Sequence, residues 1–293
     1  MSGMLKPVIG RRALKILDKN NEVVIVVADL HLGFEIELRE KGLRLPSQTK
    51  RILRQLLEVV TSERCDRLII LGDVKHGILG FRKEEWEEVK YFLESLQRFF
   101  TEIEIVIGNH DGGLSTIISE ISGVKIYSPR GVMLEDSQGR KIGLFHGHAW
   151  PASELFKAEI LVMGHIHPSI DLRDELGFRI IESVWLKMKL DRENIARVYL
   201  KYKFKKPVED PLKAFEENFN HPLNSHSLIV VPAFNSYLKG LSVNRFIIEE
   251  SISPLLNSNR REILNSEIYL IDGTFLGPLK LFVEELRTSE YLL

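Results

Sequence analysis

Asp, Asn and His recur along this chain in five short clusters: Asp29 with His31, Asp73 with His76, Asn109 with His110 and Asp111, His146 with His148, and His165 with His167. A donor set of imidazole, carboxylate and amide oxygen without thiolate suits Mn, Fe, Zn, Ni or Co. The single cysteine, Cys65, is too few for an iron–sulfur centre or a structural zinc site of the cysteine type. Within three of the clusters the paired side chains are two residues apart, which places them on one face of an extended segment. Neighbouring glycines, Gly72, Gly108, Gly147 and Gly164, allow the sharp turns that would aim them inward.

Each cluster directly follows a short apolar run. Val23 to Ala28 is β-branched and unbroken, the pattern of a strand buried on both faces, and Arg67 to Leu71, Ile103 to Ile107, Ile142 to Phe145 and Ile160 to Met163 read the same way. Between the first two, Pro46 and Ser47 open a helix striped by Ile52, Leu53, Leu56, Leu57 and Val60. Between the next two, Glu84, Glu85, Glu87 and Glu88 begin another, striped by Trp86, Val89, Leu93, Leu96 and Phe100. Metal-capable side chains thus stand at the carboxyl end of every one of these strands, where open α/β sheets bind their ligands. A lone polar residue after a strand is usually a turn residue. Seven of the nine histidines falling in these loops is not explained that way.

Later segments, Ile180 to Leu190, Ile195 to Phe204, Leu228 to Val231 and Glu267 to Ile271, read as strands without intervening helices, which implies two sheets rather than one doubly wound sheet. Asn257 to Asn259 reads as a turn. The polar, proline-bearing stretch from Lys205 to Ser227 marks a boundary between a core, residues 1–205, and an extension, residues 206–293. The extension is expected to pack on the core and either complete the second sheet or shape the pocket. His221 and His226 fall in that stretch and are expected to face solvent.

Composition narrows the function classes. The chain has 293 residues, a formal net charge of −1 and 28% charged residues, so no global field draws it to nucleic acid or anionic membranes. The longest apolar run, Val23 to Ala28, is far short of a membrane span, and the lone cysteine gives no sign of an oxidising compartment; a cytoplasmic protein is expected. No G-x-x-x-x-G-K-[ST] or G-x-G-x-x-G pattern is present, leaving nucleoside triphosphates and dinucleotides without support.

Taken in order, Asp29-Leu-His31, Gly72-Asp73-Val-Lys-His76, Gly108-Asn109-His110-Asp111, His146-Gly147-His148 and Gly164-His165-Ile-His167 resemble the calcineurin-like metallophosphoesterases. Asp29 to Phe34, Val74-Lys75-His76 and the later Val231-Pro-Ala-Phe-Asn235 resemble, within them, the intracellular group related to DNA-ligase-associated phosphoesterases. The resemblance implies a four-layer αββα sandwich of two mixed β-sheets flanked by helices. It implies two divalent ions, Mn²⁺ first and Fe, Zn, Ni or Co as alternatives. One ion would be held by Asp29, His31, Asp73 and His167, and the other by Asp73, Asn109, His146 and His165, with Asp73 bridging.

Such a pair of ions, ~3.5–4 Å apart, activates a water and clamps the phosphate oxygens of an ester. If Asn109 is a ligand, the adjacent His110 points elsewhere and becomes the general acid at the leaving group, with Asp111 or His76 orienting its ring. The role of His148 is open between substrate contact, support and ligation. His76 stands where phosphoprotein phosphatases of the superfamily carry Asp, while its DNA-break-repair nucleases are similar to this chain there. A phosphodiesterase or nuclease is therefore favoured, with phosphate esters and nucleic acid as partners. A phosphomonoesterase for a small metabolite or phosphoprotein, or a scaffold without catalysis, are the competing expectations. Two basic tracts bear on the substrate. Lys201, Lys203 and Lys205 alternate with Tyr202 and Phe204, read as one solvated strand face. Arg39, Lys41, Arg44, Lys50, Arg51 and Arg54 lie closer to the metal-capable loops.

Overall fold

A computed structural model describes residues 5–78, 82–100, 102–173, 176–240, 242–245 and 253–283. The last residues of the 206–293 segment lie outside these. A first sheet contains β1 (Leu5–Pro7), β2 (Leu14–Leu17), β3 (Val23–Val27), β4 (Arg67–Leu71), β5 (Ile103–Val106) and β6 (Val124–Tyr127), side by side in that order. From β3 to β6 the neighbours are parallel. A second sheet contains β7 (Val132–Glu135), β8 (Lys141–Phe145), β9 (Ile160–Met163), β11 (Arg179–Lys189), β12 (Ser227–Val230), β13 (Glu267–Leu270) and β14 (Phe275–Pro278), with β10 (Ser169–Arg173) paired to β11. β12 lies between β9 and β11, so strands from either side of residue 205 interleave in one sheet.

Helices α1 (Phe34–Glu40), α2 (Thr49–Ser62), α3 (Lys83–Leu96) and α4 (Leu114–Ile118) precede β7 in the chain, and α5 (Arg192–Phe204), α6 (Pro211–Phe219), α7 (Pro254–Ser258) and α8 (Arg260–Ile263) follow β11. Alternation along β3 explains the layering. Val24 and Val26 join a core between the sheets, with Leu144, Val162, Trp185 and Ile229 opposite. Ile25 and Val27 point the other way, into a core shared with Ile52 and Leu56 of α2 and Val89 and Leu93 of α3. A third core joins the outer face of the second sheet to α5, α6 and α7 through Leu186, Leu228, Tyr199, Phe215 and Leu255. Two mixed sheets flanked by helices, as expected, make up the fold.

Ile195 to Phe204 is helix, not strand. The Lys-aromatic alternation at its end has period two, but the buried residues Ile195, Ala196, Tyr199 and Leu200 follow helical spacing. Asp191 caps the helix by accepting from the Asn194 N–H at 3.0 Å. The lysines therefore do not line one strand face. Asn257 and Ser258 end a short helix rather than form a turn. The 205–227 stretch holds α6, begun by Asp210 at the cap and Pro211 in the first turn. His226 is exposed, but His221 is buried against Phe215 and Phe219, with ring centroids 5.6 and 6.4 Å away. Among the described residues, no helix is long and apolar enough to cross a membrane.

Candidate metal centre

Asp29, Asp73 and Asn109 follow β3, β4 and β5 of one sheet, and His146 and His165 follow β8 and β9 of the other. The carboxyl ends of parallel strands from both sheets therefore meet at one edge of the sandwich. Backbone bonds tie the loops there: the Asp29 N–H donates to Gly72 O at 3.1 Å and the His31 N–H to Asp73 O at 2.8 Å. Across the sheets the His165 N–H donates to the Asp29 carboxylate, 3.0 Å from Oδ2. Two glycines make this approach possible. A Cβ on Gly108 would stand 2.2 Å from Asp73 Oδ1, and one on Gly72 would stand 2.4 Å from His146 Nδ1.

Two donor groups result, and they share Asp73. Asp29, His31, Asp73 and His167 place one ligand atom each within 4.8 Å of the others, and so do Asp73, His146 and His165. In the first, His31 Nε2 is 3.2 Å from His167 Nε2 and 3.4 Å from Asp73 Oδ2, and His167 Nε2 is 3.4 Å from Asp29 Oδ1. In the second, His146 Nε2 is 3.4 Å from Asp73 Oδ2 and 3.2 Å from Asn109 Oδ1. Donors held ~2.1 Å from one ion stand about 3.0–3.4 Å apart. The donor chemistry and its spacing both fit divalent cations. His31, His76 and His110 form a further group of three, on the outer side of the first.

Five of these residues have a left-handed backbone: Asp29 (φ 58°), His31 (45°), Asp73 (51°), His165 (73°) and His167 (44°). Non-glycine residues adopt this region rarely and at a cost, and strain of this kind clusters where function over-determines the conformation.

Hydrogen bonds fix the tautomers. Nδ1 of His146 donates to Leu71 O at 2.7 Å, so Nε2 is the nitrogen that faces Asp73 and Asn109. His110 donates from Nδ1 to the carbonyl of His76, leaving Nε2 facing Asp73 Oδ2 at 4.0 Å. The Nδ1 of that ring is taken by the His76 carbonyl, not by the Asp111 carboxylate. Asp111 is buried, and its oxygens accept from the N–H groups of Val74 (2.8 Å), Lys75 (3.3 Å) and Gly108 (2.8 Å). It anchors two loops to each other. His76 stacks on His110, with centroids 5.5 Å apart and planes at 26°, and its Nε2 meets Glu37.

Charge is concentrated here. Burial opposes ionisation of both Asp73 and His146, yet they hold each other charged. Asp73 stays below the usual carboxylate range through His146 and His31. His146 is raised to about 9 by Asp73 and Asp29 despite burial. Buried carboxylates at this point call for positive charge. His31 is pulled well down, by burial first and then by His167. Burial and the Asp73 charge push Asp111 up to about 6. His148 falls to about 4 through burial and the neighbouring His146; its ring lies 5.2 Å from that of His146, and it belongs to none of the donor groups.

Several contributors were not singled out by the sequence. Glu37 on α1 pairs with His76, and Glu85 on α3 accepts the N–H of His76 at 3.1 Å and that of Gly77 at 2.5 Å, bracing the loop. Helical acids look like solvated charge in the sequence, so no local signal marks either one. The Val231–Asn235 segment braces the centre from behind: the Phe234 N–H donates to Ala28 O at 2.8 Å and Asn235 Nδ2 to Leu30 O at 3.1 Å.

A family model described as the calcineurin-like phosphoesterase superfamily domain matches residues 23–184. No curated protein matches the chain. Among solved structures, the nuclease MPE of Pseudomonas putida is similar at 16% identity and a TM-score of 0.48, covering 92% of this chain and 97% of its own. YfcE, a phosphoesterase from E. coli, is similar at 20% identity and a TM-score of 0.32, covering 52% and 73%. Vacuolar Protein Sorting 29 from Cryptosporidium parvum is similar at 20% and 0.30, covering 53% and 70%.

Proposed function

The chain belongs to the calcineurin-like phosphoesterase superfamily, and from that premise we propose that it is a phosphodiesterase of the nuclease type, acting in the cytoplasm with two divalent ions, Mn²⁺ foremost. The observation that carries the reading is the sharing of Asp73 between two compact donor groups. Asp29, His31, Asp73 and His167 would hold one ion. Asp73, Asn109, His146 and His165 would hold the other. Bound there, divalent ions supply Lewis acidity for the phosphate oxygens and an activated water.

The chain's own residues do the remaining work. The carbonyls of Leu71 and His76 fix which nitrogen of His146 and of His110 faces the centre. With Nδ1 committed, protonated His110 can deliver its Nε2 proton to the departing ester oxygen, the general-acid role. Poor alkoxide leaving groups, as in nucleic acid, need that proton most. The diester preference rests on the resemblance at His76, which stands where phosphoprotein phosphatases of the superfamily carry Asp and where its DNA-break-repair nucleases are similar to this chain. The His76 ring stacks on that of His110.

The test is a set of parallel assays with Mn²⁺ on bis(4-nitrophenyl) phosphate, 4-nitrophenyl phosphate, and single-stranded and duplex DNA. Higher kcat/KM on the diesters is expected. Preference for the monoester would defeat the nuclease reading, and no hydrolysis of any substrate would defeat catalysis.

A further inference from the structure

His76, His110 and His167 are among the residues of the candidate metal centre that solvent reaches. The side chains of His76 and His110 are each 19% exposed and that of His167 16%, whereas those of Asp29 and His146 are fully buried. Residues 235–240 run from behind the centre to this open side. At one end the Asn235 N–H donates to Asp29 O at 3.4 Å. At the other, Gly240 lies against His167: a Cβ on it would stand 2.3 Å from His167 Cβ. Between them Tyr237 is 55% exposed.

Tyr237 is held in place although water reaches it. Its N–H donates to Asn235 Oδ1 at 3.2 Å. The guanidinium of Arg51 covers its ring, with Cζ 4.3 Å from the centroid, and is itself fixed by Gln48, Ser236 and Asn235. Phe34 is offset beside it, with centroids 6.1 Å apart and planes at 29°. Phe34 in turn meets His76 edge-on at 6.3 Å, and His76 stacks on His110. The Phe34 N–H donates to His31 O at 3.2 Å, which ties this row to a candidate ligand. Four rings therefore lead from the imidazole that faces the departing oxygen out to an aromatic surface in water. A ring fixed in this way has lost its conformational freedom before any partner arrives, and its surface suits another flat ring.

We propose that Tyr237 is a substrate-contacting residue that stacks on the base of the leaving nucleoside. The proposal rests on the phosphodiesterase reading with His110 as its general acid. The row of rings puts Tyr237 on the His110 side of the scissile phosphate, where the leaving group must stand. Stacking uses the π-face that every base has, so it selects nucleosides over other alcohols without selecting a sequence. Arg51 under the ring adds positive charge beside the path of an anionic strand.

The experiment uses TpT in Mn²⁺ and two analogues in which one or the other sugar is abasic. The nucleoside released from TpT without phosphate identifies the leaving side. In wild type, removing the base on that side should lower kcat/KM by roughly 5- to 100-fold, the range for one base stacked on an aromatic ring. Removing the other base should cost less. In Tyr237→Leu, which still covers Arg51, the ratio of TpT to the leaving-side analogue should fall toward one, while Tyr237→Phe should keep it. A residue with only a structural role would slow all three substrates alike and leave that ratio as it was. A wild-type ratio near one, a larger loss from the opposite base, or a ratio unchanged in Tyr237→Leu overturns the proposal and leaves the phosphodiesterase reading intact. Equal loss in Tyr237→Phe would assign the effect to the hydroxyl and overturn stacking. Should wild type cleave none of the three, that reading fails, and Tyr237 is judged by binding of fluorescein-labelled oligo(dT) against an abasic strand with the same number of phosphates. Tyr237→Leu should then narrow the difference in affinity; an unchanged difference would overturn it.

Discussion

Nε2 of His76 lies 2.8 Å from Oε2 of Glu37, and the other ring nitrogen of His76 faces Nδ1 of His31 at 3.2 Å. The three side chains are linked in one direction only. Glu37 accepts the Nε2 proton of His76, so His76 Nδ1 accepts from His31 Nδ1–H. The lone pair of His31 Nε2 is then left pointing at Asp73 and His167. An acid on α1 thereby sets the tautomer of a candidate metal ligand through an intervening imidazole.

Removing the start of that chain should loosen the centre without touching a ligand. Glu37→Ala is expected to weaken divalent-ion affinity by roughly 10-fold, within the 10- to 100-fold range for partners of metal-bound His. Glu37→Gln, which still offers an acceptor, should lie between. Isothermal titration with Mn²⁺ measures this, and equal affinities in all three proteins would remove Glu37 from the centre.

The left-handed ligands make a prediction about stability rather than activity. At His31 (φ 45°) and His167 (φ 44°) a Cβ is strained whatever the side chain. In protein stripped with EDTA, His31→Gly and His167→Gly should each be about 1–2 kcal/mol more stable to urea than the corresponding Ala variants. On ordinary helical or strand backbone the order would reverse, because glycine gains more chain entropy on unfolding. Equal stabilities would mean that the strain is not present in solution.

These conformations also mark where sequence stops being informative. Runs such as Val23–Val27 and Ile160–Met163 are legible because continuous β-branched or aliphatic residues have few alternatives to a strand buried on both faces. The polar clusters are legible because they repeat after each of those strands. That Asp29, His31, Asp73, His165 and His167 turn left-handed has no such signature, since the surrounding hydrogen bonds impose it. Long-range partners are hidden in the same way. Glu37 meets His76 and Arg51 meets Asn235 only once the loops are folded. The misreading of Ile195 to Phe204 has a different origin: alternation over five residues at its end outweighed the longer helical spacing that burial selects.

Asp111 offers a test of anchoring against chemistry. Its carboxylate accepts three backbone N–H groups from two loops. Asp111→Ala would orphan buried donors at about 1–3 kcal/mol each, so a loss of several kcal/mol in urea unfolding is expected. Asp111→Asn keeps one acceptor oxygen and should cost less. Wild-type stability in Asp111→Ala, together with lost turnover, would return Asp111 to a direct part in the reaction.

His110 separates binding from proton transfer. Its Nδ1 is committed to the carbonyl of His76 and its Nε2 faces the centre from 4.0 Å, outside the two groups that share Asp73. His110→Ala should therefore keep wild-type Mn²⁺ affinity while kcat on a diester falls by roughly 10²–10⁴. The leaving group sharpens the distinction: 4-nitrophenolate departs without a proton, so the deficit should shrink on bis(4-nitrophenyl) phosphate and be largest on a dinucleotide. A deficit of the same size on both would show that His110 positions the phosphate instead of protonating the leaving oxygen, and loss of Mn²⁺ would make it a ligand.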